Sequence, residues 1–313
     1  LTSCQAPIAD AFVEGVAAYL RTRLQMPVHC ELQIPWQRRE QRLQTGHIQL
    51  GWICGAPYVQ MQDEAHAPLA LLAAPVMAAP RYDDRPLYFS DVVVRADRPY
   101  ATFADLRGAA WAYNEPHSHS GYHVVRYHLA TLGETGAFFG RVVASGAHQR
   151  SLALILAGAA DAAAIDSTVL DMLLAREPTL AARLRIVATL GPSPMPPWVV
   201  HESVPPAQRQ ALAAALTAMH TDAVGQAVLR QAAGLGFGHA QAFVQRDEIL
   251  RDIAAKIGRI VRIHRDLHAL LGAEGLRALA QLQEVGDVDF FHDREVRRGE
   301  LRAHHRLGDL ATD

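Results

Sequence analysis

The sequence predicts an α/β protein built on a parallel sheet, and three observations predict it. Apolar stretches of strand length alternate with segments whose apolar residues recur at helical spacing. Four strand-like stretches run into polar loops bearing Gly, Ser, His, Tyr or Asp. The chain has 313 residues, of which 50% are hydrophobic and 20% charged, enough apolar material for one large or two medium domains.

Each element has its own signal. From Ala9 to Leu24, the residues Phe12, Val13, Val16, Ala17, Leu20 and Leu24 form one helical face. Residues 27–32 alternate like a strand. Trp36 to Thr45 suits a polar helix that Gly46 stops. Ile48 to Cys54 reads as a strand that enters Gly55-Ala56-Pro57-Tyr58. Further strands are expected over Leu69–Val76 and Leu87–Arg95, with a turn at 80–86 between them. A short capped helix over 102–108 precedes a strand over 109–113, and a helix over 122–132 follows the loop after it. Strands over 141–145, 161–165 and 184–190 alternate with helices beginning near Gln149 and just after Ser167-Thr168. Four prolines and a glycine between 191 and 197 argue against regular structure there. Trp198–Val200 resumes a strand, an Ala-rich helix spans 206–219, and one or two more helices reach about Lys256. The polar stretch from Arg259, with weak helical spacing and no strand signal, is expected to be a helical or irregular extension.

The loop at 114–122, Asn114-Glu115-Pro116-His117-Ser118-His119-Ser120-Gly121-Tyr122, holds the most chemistry. A strand, a hydroxyl- and glycine-bearing turn and then a helix form an anion seat that needs no cationic side chain. The first helical N–H groups have no partner in the helix, and the helix dipole adds positive charge there. Ser118 could equally be an ordinary N-cap. Three companion loops, at Tyr58, at His148 and at Asp166, end at the same kind of strand terminus, where open α/β sheets bind ligands. Asp166 before Ser167-Thr168 also reads as a helix cap, and Tyr88 in its apolar run also reads as core.

Other functions are less well supported. A formal charge of −2 gives no pull toward nucleic acid. No apolar run is long enough for a transmembrane helix, so no direct membrane insertion is expected. Cys4, Cys30 and Cys54 show no CxxC spacing and read as buried free thiols, with one disulfide as the alternative. His117, His119, His123 and His128 crowd one segment, and His119 and His123 have an i,i+4 spacing that can share a metal. No acidic partner accompanies them, and no metal site is expected. Neither a Gly-x-Ser-x-Gly elbow nor a phosphate-binding P-loop occurs, so neither an enzyme nor a cofactor is expected.

Six segments in register resemble the phosphate/phosphite/phosphonate-binding proteins of ABC transporters. They are residues 51–59 (Gly51-x-Ile53-Cys54-Gly55-Ala56-Pro57-Tyr58-Val59), 88–94, 103–108, 114–122, 145–152 and 161–167. The resemblance covers roughly residues 1–255. It implies a two-lobed type II periplasmic-binding-protein fold with a ligand cleft at the hinge. Lobe one would hold 1–90 plus 190–258, lobe two 91–189, and 259–313 would be an extension without counterpart. It also implies a site of Tyr58, Tyr88, Ser118, His119, Ser120, His148 and Asp166 around a small oxyanion. The partner would be a membrane permease and the location periplasmic. A carboxylate at Asp166 accepts but cannot donate, which favours a ligand carrying a proton or an amine over sulfate. Alternatives on the same fold are a sensor module for a signalling partner, or a site for another small organic ligand or a metal ion.

Overall fold

The computed structural model describes residues 1–244 except 6, 64–67, 135 and 235–239. The expected helix toward Lys256, the end of lobe one beyond 244 and the 259–313 extension lie outside the described residues. The chain runs β1 (Thr2–Ser3), α1 (Asp10–Leu24), α2 (Trp36–Gln44), β2 (Leu50–Trp52), α3 (Gly55–Asp63) and β3 (Leu69–Met77). It continues with β4 (Leu87–Arg95), β5 (Ala110–Tyr113), α4 (Val124–Thr131), β6 (Arg141–Ala144), α5 (His148–Leu156), β7 (Ala162–Asp166) and α6 (Ser167–Arg176). β8 (Leu184–Pro194), β9 (Trp198–His201), α7 (Pro206–Ala218), α8 (Ala223–Gly234) and β10 (Ala240–Val244) complete the described order.

Among the described residues two five-stranded sheets result, ordered β1-β2-β9-β3-β10 and β6-β5-β7-β4-β8. The chain passes between them twice, from β3 to β4 and from β8 to β9. Each sheet is mixed rather than parallel. β1 pairs parallel with β2, and β5 with β6 and β7, while β9 and β4, the strands that arrive from the other sheet, run antiparallel to their neighbours. The βαβ rhythm marks β2, β5, β6 and β7 but not the two-residue β1, and it carries no signal for the antiparallel course of the two strands that cross over.

The local patterns explain most elements. α1 buries Phe12, Val13, Val16, Ala17 and Leu20, starts on Asp10 and ends on Arg21 and Arg23, each charge complementing its end of the helix dipole. α2 stops at Thr45, and Gly46 follows at φ 72°, a left-handed turn that glycine takes without penalty. β4 is buried on both faces. Val92 and Val94 pack with Phe103, Leu106, Trp111 and Phe139, while Val93 points to the other side with Leu152, Ile155 and Ile165. Burying each such side chain stabilises by roughly 1.5–3 kcal/mol.

Three expectations are corrected. Residues 27–32 are not a strand: their contacts with β1 are a Glu31 N–H to Leu1 bond of 2.8 Å and side-chain or terminal contacts, not a continuous ladder. The proline-rich segment is regular as far as Pro194, because β8 is an edge strand and its missing N–H groups cost the sheet nothing. Register shifts between Tyr88 and Ser90 of β4 absorb the cis Gly191-Pro192 step, with Gly191 at φ 122°. β10, where only helix was expected, is a strand antiparallel to β3.

The crossings are tied to each other. Met195 N–H donates to the Pro86 carbonyl at 2.8 Å, and the Trp52 indole donates to the Pro196 carbonyl at 2.9 Å. In the first crossing a 3-10 turn, Pro80–Tyr82, points Arg81 at Asp91 of β4 through two bonds of 3.0 and 2.8 Å.

Candidate functional site

Strand β5 ends by delivering Asn114, and the chain turns through Glu115-Pro116-His117 to Ser118. The helix then begins earlier than its periodicity suggests, with a π turn over His119–His123 that passes directly into α4. Ser118 is the N-cap: its Oγ accepts from the Gly121 N–H at 3.1 Å. That leaves the N–H groups of His119 and Ser120 at the helix head with no place in its ladder. Asn114 packs against the Cα of Gly121, and a side chain there would overlap the Asn114 amide.

The cluster is knit from the ends of five strands. His148, the first residue of α5 after β6, brings its Nε2 3.1 Å from the Ser120 Oγ and 3.5 Å from the Asn114 Nδ2. His119 Nε2 meets the Ser193 Oγ of β8 at 2.9 Å. Tyr88 of β4 lies with its ring 6.3 Å from the His119 ring and its phenol within hydrogen-bonding reach of Ser120. Asp166 closes β7 and caps α6, accepting from the Thr168 N–H at 2.8 Å and the Thr168 hydroxyl at 2.7 Å. The cap reading of Asp166 is therefore realised, and its charge also acts on the Tyr88 phenol. Sequence reasoning passed over Ser193 because its segment was expected to be irregular. Asn114 was quoted in the motif but given no role.

Elements of the first sheet complete the surroundings. Tyr58 stands buried on the first turn of α3, which runs against the π turn. Cys4 and Cys54, at the ends of β1 and β2, both bear on the Tyr88 phenol. Further out, α2 grips the loop that leads into the π turn. The Trp36 and His117 rings stack at 3.8 Å, His117 Nδ1 lies 3.1 Å from a Glu40 oxygen, and Arg39 lies 3.5 Å from Glu115. Burial pushes the Glu115 carboxyl up, against the pull of Arg39.

Electrostatics follow from burial. Desolvation holds His119 and His148 near 4, so both are neutral imidazoles at physiological pH, not the cations one would otherwise place beside an anion. It pushes the Tyr88 phenol well up, helped by the Asp166 charge. It raises Asp166 to about 6, although the Thr168 bonds pull the other way. None of Tyr58, Tyr88, Ser118, His119, Ser120, His148 and Asp166 carries a guanidinium or ammonium group; what these seven offer is neutral donors and one carboxyl. Among the described residues no group of three or more His, Cys, Asp and Glu side chains converges as a metal would require. His128, for one, packs edge-on against Phe103 at 4.6 Å instead.

These shifts have opposing effects on stability. A histidine held near 4 but titrating at its ordinary 6.5 when unfolded contributes stability that is complete above about 6.5 and is lost as pH falls toward 4. Asp166 does the reverse: its burial costs stability above about 6, and the cost is relieved as pH falls from 6 toward 3.8. Asp166→Asn keeps the helix cap and removes this titration. We expect the variant to be more stable than the parent at pH 7.5 by on the order of 2 kcal/mol, an advantage gone by pH 4. Urea midpoints across that range measure it, and a constant difference between the two proteins would refute the assignment.

Two sheets joined by paired crossings, with buried polar strand ends gathered between them, make the two-lobed architecture of a solute-binding protein. The family model for periplasmic substrate-binding proteins of ABC phosphonate transporters matches residues 6–243, and the chain belongs to that family. No curated protein matches the sequence. Among solved structures, the fold is shared with a binding protein component of an ABC phosphonate transporter from Pseudomonas aeruginosa. That match has 18% identity and a TM-score of 0.71, and covers 98% of each chain. PhnD1 from Prochlorococcus marinus in complex with methylphosphonate aligns at 17% identity and a TM-score of 0.68, over 82% of this chain and 98% of that one. A Xanthomonas citri protein bound to ATP aligns at 16% identity and a TM-score of 0.65, over 85% and 98%.

Proposed function

We propose that the cluster of Tyr58, Tyr88, Ser118, His119, Ser120, His148 and Asp166 captures a small phosphorus oxyanion, a phosphonate, phosphate or phosphite, without turning it over. The lobes 1–90 plus 190–258 and 91–189 would close on it about the two crossings, and the loaded protein would hand it to a membrane permease outside the cytoplasm. No helix among the described residues is long and apolar enough to cross a membrane. The observation that carries the reading is the buried junction of Ser120, His148 and Tyr88 at the helix head, where neutral donors converge on the two open N–H groups. Ser118 supports the seat as its cap. Ser120, His148 and Tyr88 donate to the oxyanion, and His119 is fixed by Ser193. An anion beside Asp166 raises its carboxyl further, so that it either holds a proton and donates or accepts one from the ligand. Sulfate, with no proton to offer, suits it less.

A thermal-shift series with methylphosphonate, aminoethylphosphonate, phosphite, phosphate and sulfate tests the class. A ligand that binds only the folded chain raises Tm with its concentration. Ser120→Ala is expected to weaken phosphonate binding roughly 10- to 100-fold, the loss of one bond to a charged group, with little loss of stability. Ser118→Ala is expected to cost about 1 kcal/mol of stability, the loss of a cap. No shift with any phosphorus compound would sink the reading, as would a Ser120→Ala chain that loses stability yet binds as before.

A further inference from the structure

Cys4 and Cys54 follow the last residues of the parallel pair β1 and β2, whose register sets Ser3 beside Trp52. The Cys4 N–H donates to the Trp52 carbonyl at 2.9 Å, which holds the two strand ends together beyond the ladder. Their Sγ atoms stand 3.2 Å apart, about 1.2 Å from bonding distance, a gap that side-chain rotation can close. Both side chains are partly exposed, and their sulfurs bear on the Tyr88 phenol at the centre of the cleft.

We propose that Cys4 and Cys54 are a dithiol/disulfide pair, oxidised by exchange with a disulfide-bearing oxidant, and that Cys30 stays free. The Cys4 thiol loses its proton, and its thiolate attacks one sulfur of the external disulfide and expels the other as a thiolate. The Cys54 thiolate then attacks the Cys4 sulfur of that mixed disulfide and expels the second external thiolate. Two protein thiols are oxidised, one external disulfide is reduced to two thiols, and the two protons leave with them. Cys4 attacks first because its hydrogen bond to Cys54, together with burial, holds the Cys54 thiol protonated. The product pins the ends of β1 and β2 to each other covalently. Cys30 lies on the 27–32 segment, where the N-terminal amine, Glu14, Arg21 and Asp10 are its charged neighbours rather than a second sulfur.

The test needs only the full chain and no cleft ligand, so its outcome is separate from that of the binding assay. The reduced protein is equilibrated with glutathione buffers poised at about −200 mV, then denatured and alkylated. Three alkylatable thiols are expected to fall to one, with a peptide linking Cys4 to Cys54. Cys30→Ser should lose both of its thiols in the same treatment, and Cys54→Ser should keep both of its own. Three thiols surviving in the parent chain, a linkage through Cys30, or a cross-link between two chains would each overturn the proposal.

Discussion

Arg81→Met is expected to destabilise the chain by about 3–5 kcal/mol, the cost of leaving one member of a buried ion pair alone. Asp91 is fully buried on β4, and both its oxygens take bonds from the Arg81 guanidinium, at 3.0 and 2.8 Å. The Thr189 hydroxyl adds a third bond at 2.9 Å from β8, and Asp171 of α6 lies 3.6 Å from the same guanidinium. Methionine keeps the apolar stem but removes the guanidinium that lies over Phe89, and it leaves the Asp91 carboxylate buried with one hydroxyl donor. Pairing it with Asp91→Asn removes the orphaned charge and should recover more than half of the loss, a coupling that a double-mutant cycle in urea reads directly. A single variant within 1 kcal/mol of the parent would show that the pair contributes little. Because Arg81 sits in one crossing and Asp91 in the strand after it, the loss should weaken the joint between the sheets before either sheet melts.

Gly121→Ala is expected to abolish measurable phosphonate binding and to cost roughly 1–3 kcal/mol of stability, the usual penalty of overpacking. An added Cβ would overlap the Asn114 amide oxygen, stand 2.9 Å from the Asn114 Cγ and 3.2 Å from the His148 Cε1. Asn114 would be driven out of the turn, and His148 with it, so that Ser120 loses its imidazole partner. The glycine is needed here for close approach, not for a left-handed backbone. Calorimetry with methylphosphonate and a thermal melt check both halves. Unimpaired affinity in the alanine variant would mean that ligand contacts lie elsewhere.

The parts of this molecule that were legible in the sequence are those written in short-range patterns. α1 shows in the spacing of Phe12, Val13, Val16 and Leu20, and β4 in the apolar residues at 87–89 and 92–94 on either side of Ser90 and Asp91. The helix start at Ser118 shows in hydroxyls before a periodic segment, and the family motifs point to His148 and Asp166 as well. What the sequence did not show depends on partners far along the chain. β8 tolerates Pro192 and Pro194 only because no described strand pairs on its outer side, and edge position is a property of the sheet. The extended look of residues 27–32 is real, but a strand needs a neighbour's ladder. Ser193, Arg39 and Trp36 acquire roles through residues 74 to 81 positions away in the chain. The neutrality of His119 and His148 is likewise a consequence of burial, which residue type cannot reveal.

Tyr88 and His119 are only 1% and 4% exposed, and α2 holds the loop that leads into the His119 turn. On the proposed function, parting the lobes would separate Trp36 from His117 and Arg39 from Glu115 before a solute reached them. Uptake then has two steps in time, an opening followed by a capture, and at high solute concentration its rate levels off at the opening frequency instead of climbing toward the diffusion limit. The same ring stack and ion pair would then have to break again for a captured solute to leave. A chain built this way trades speed of loading for length of residence.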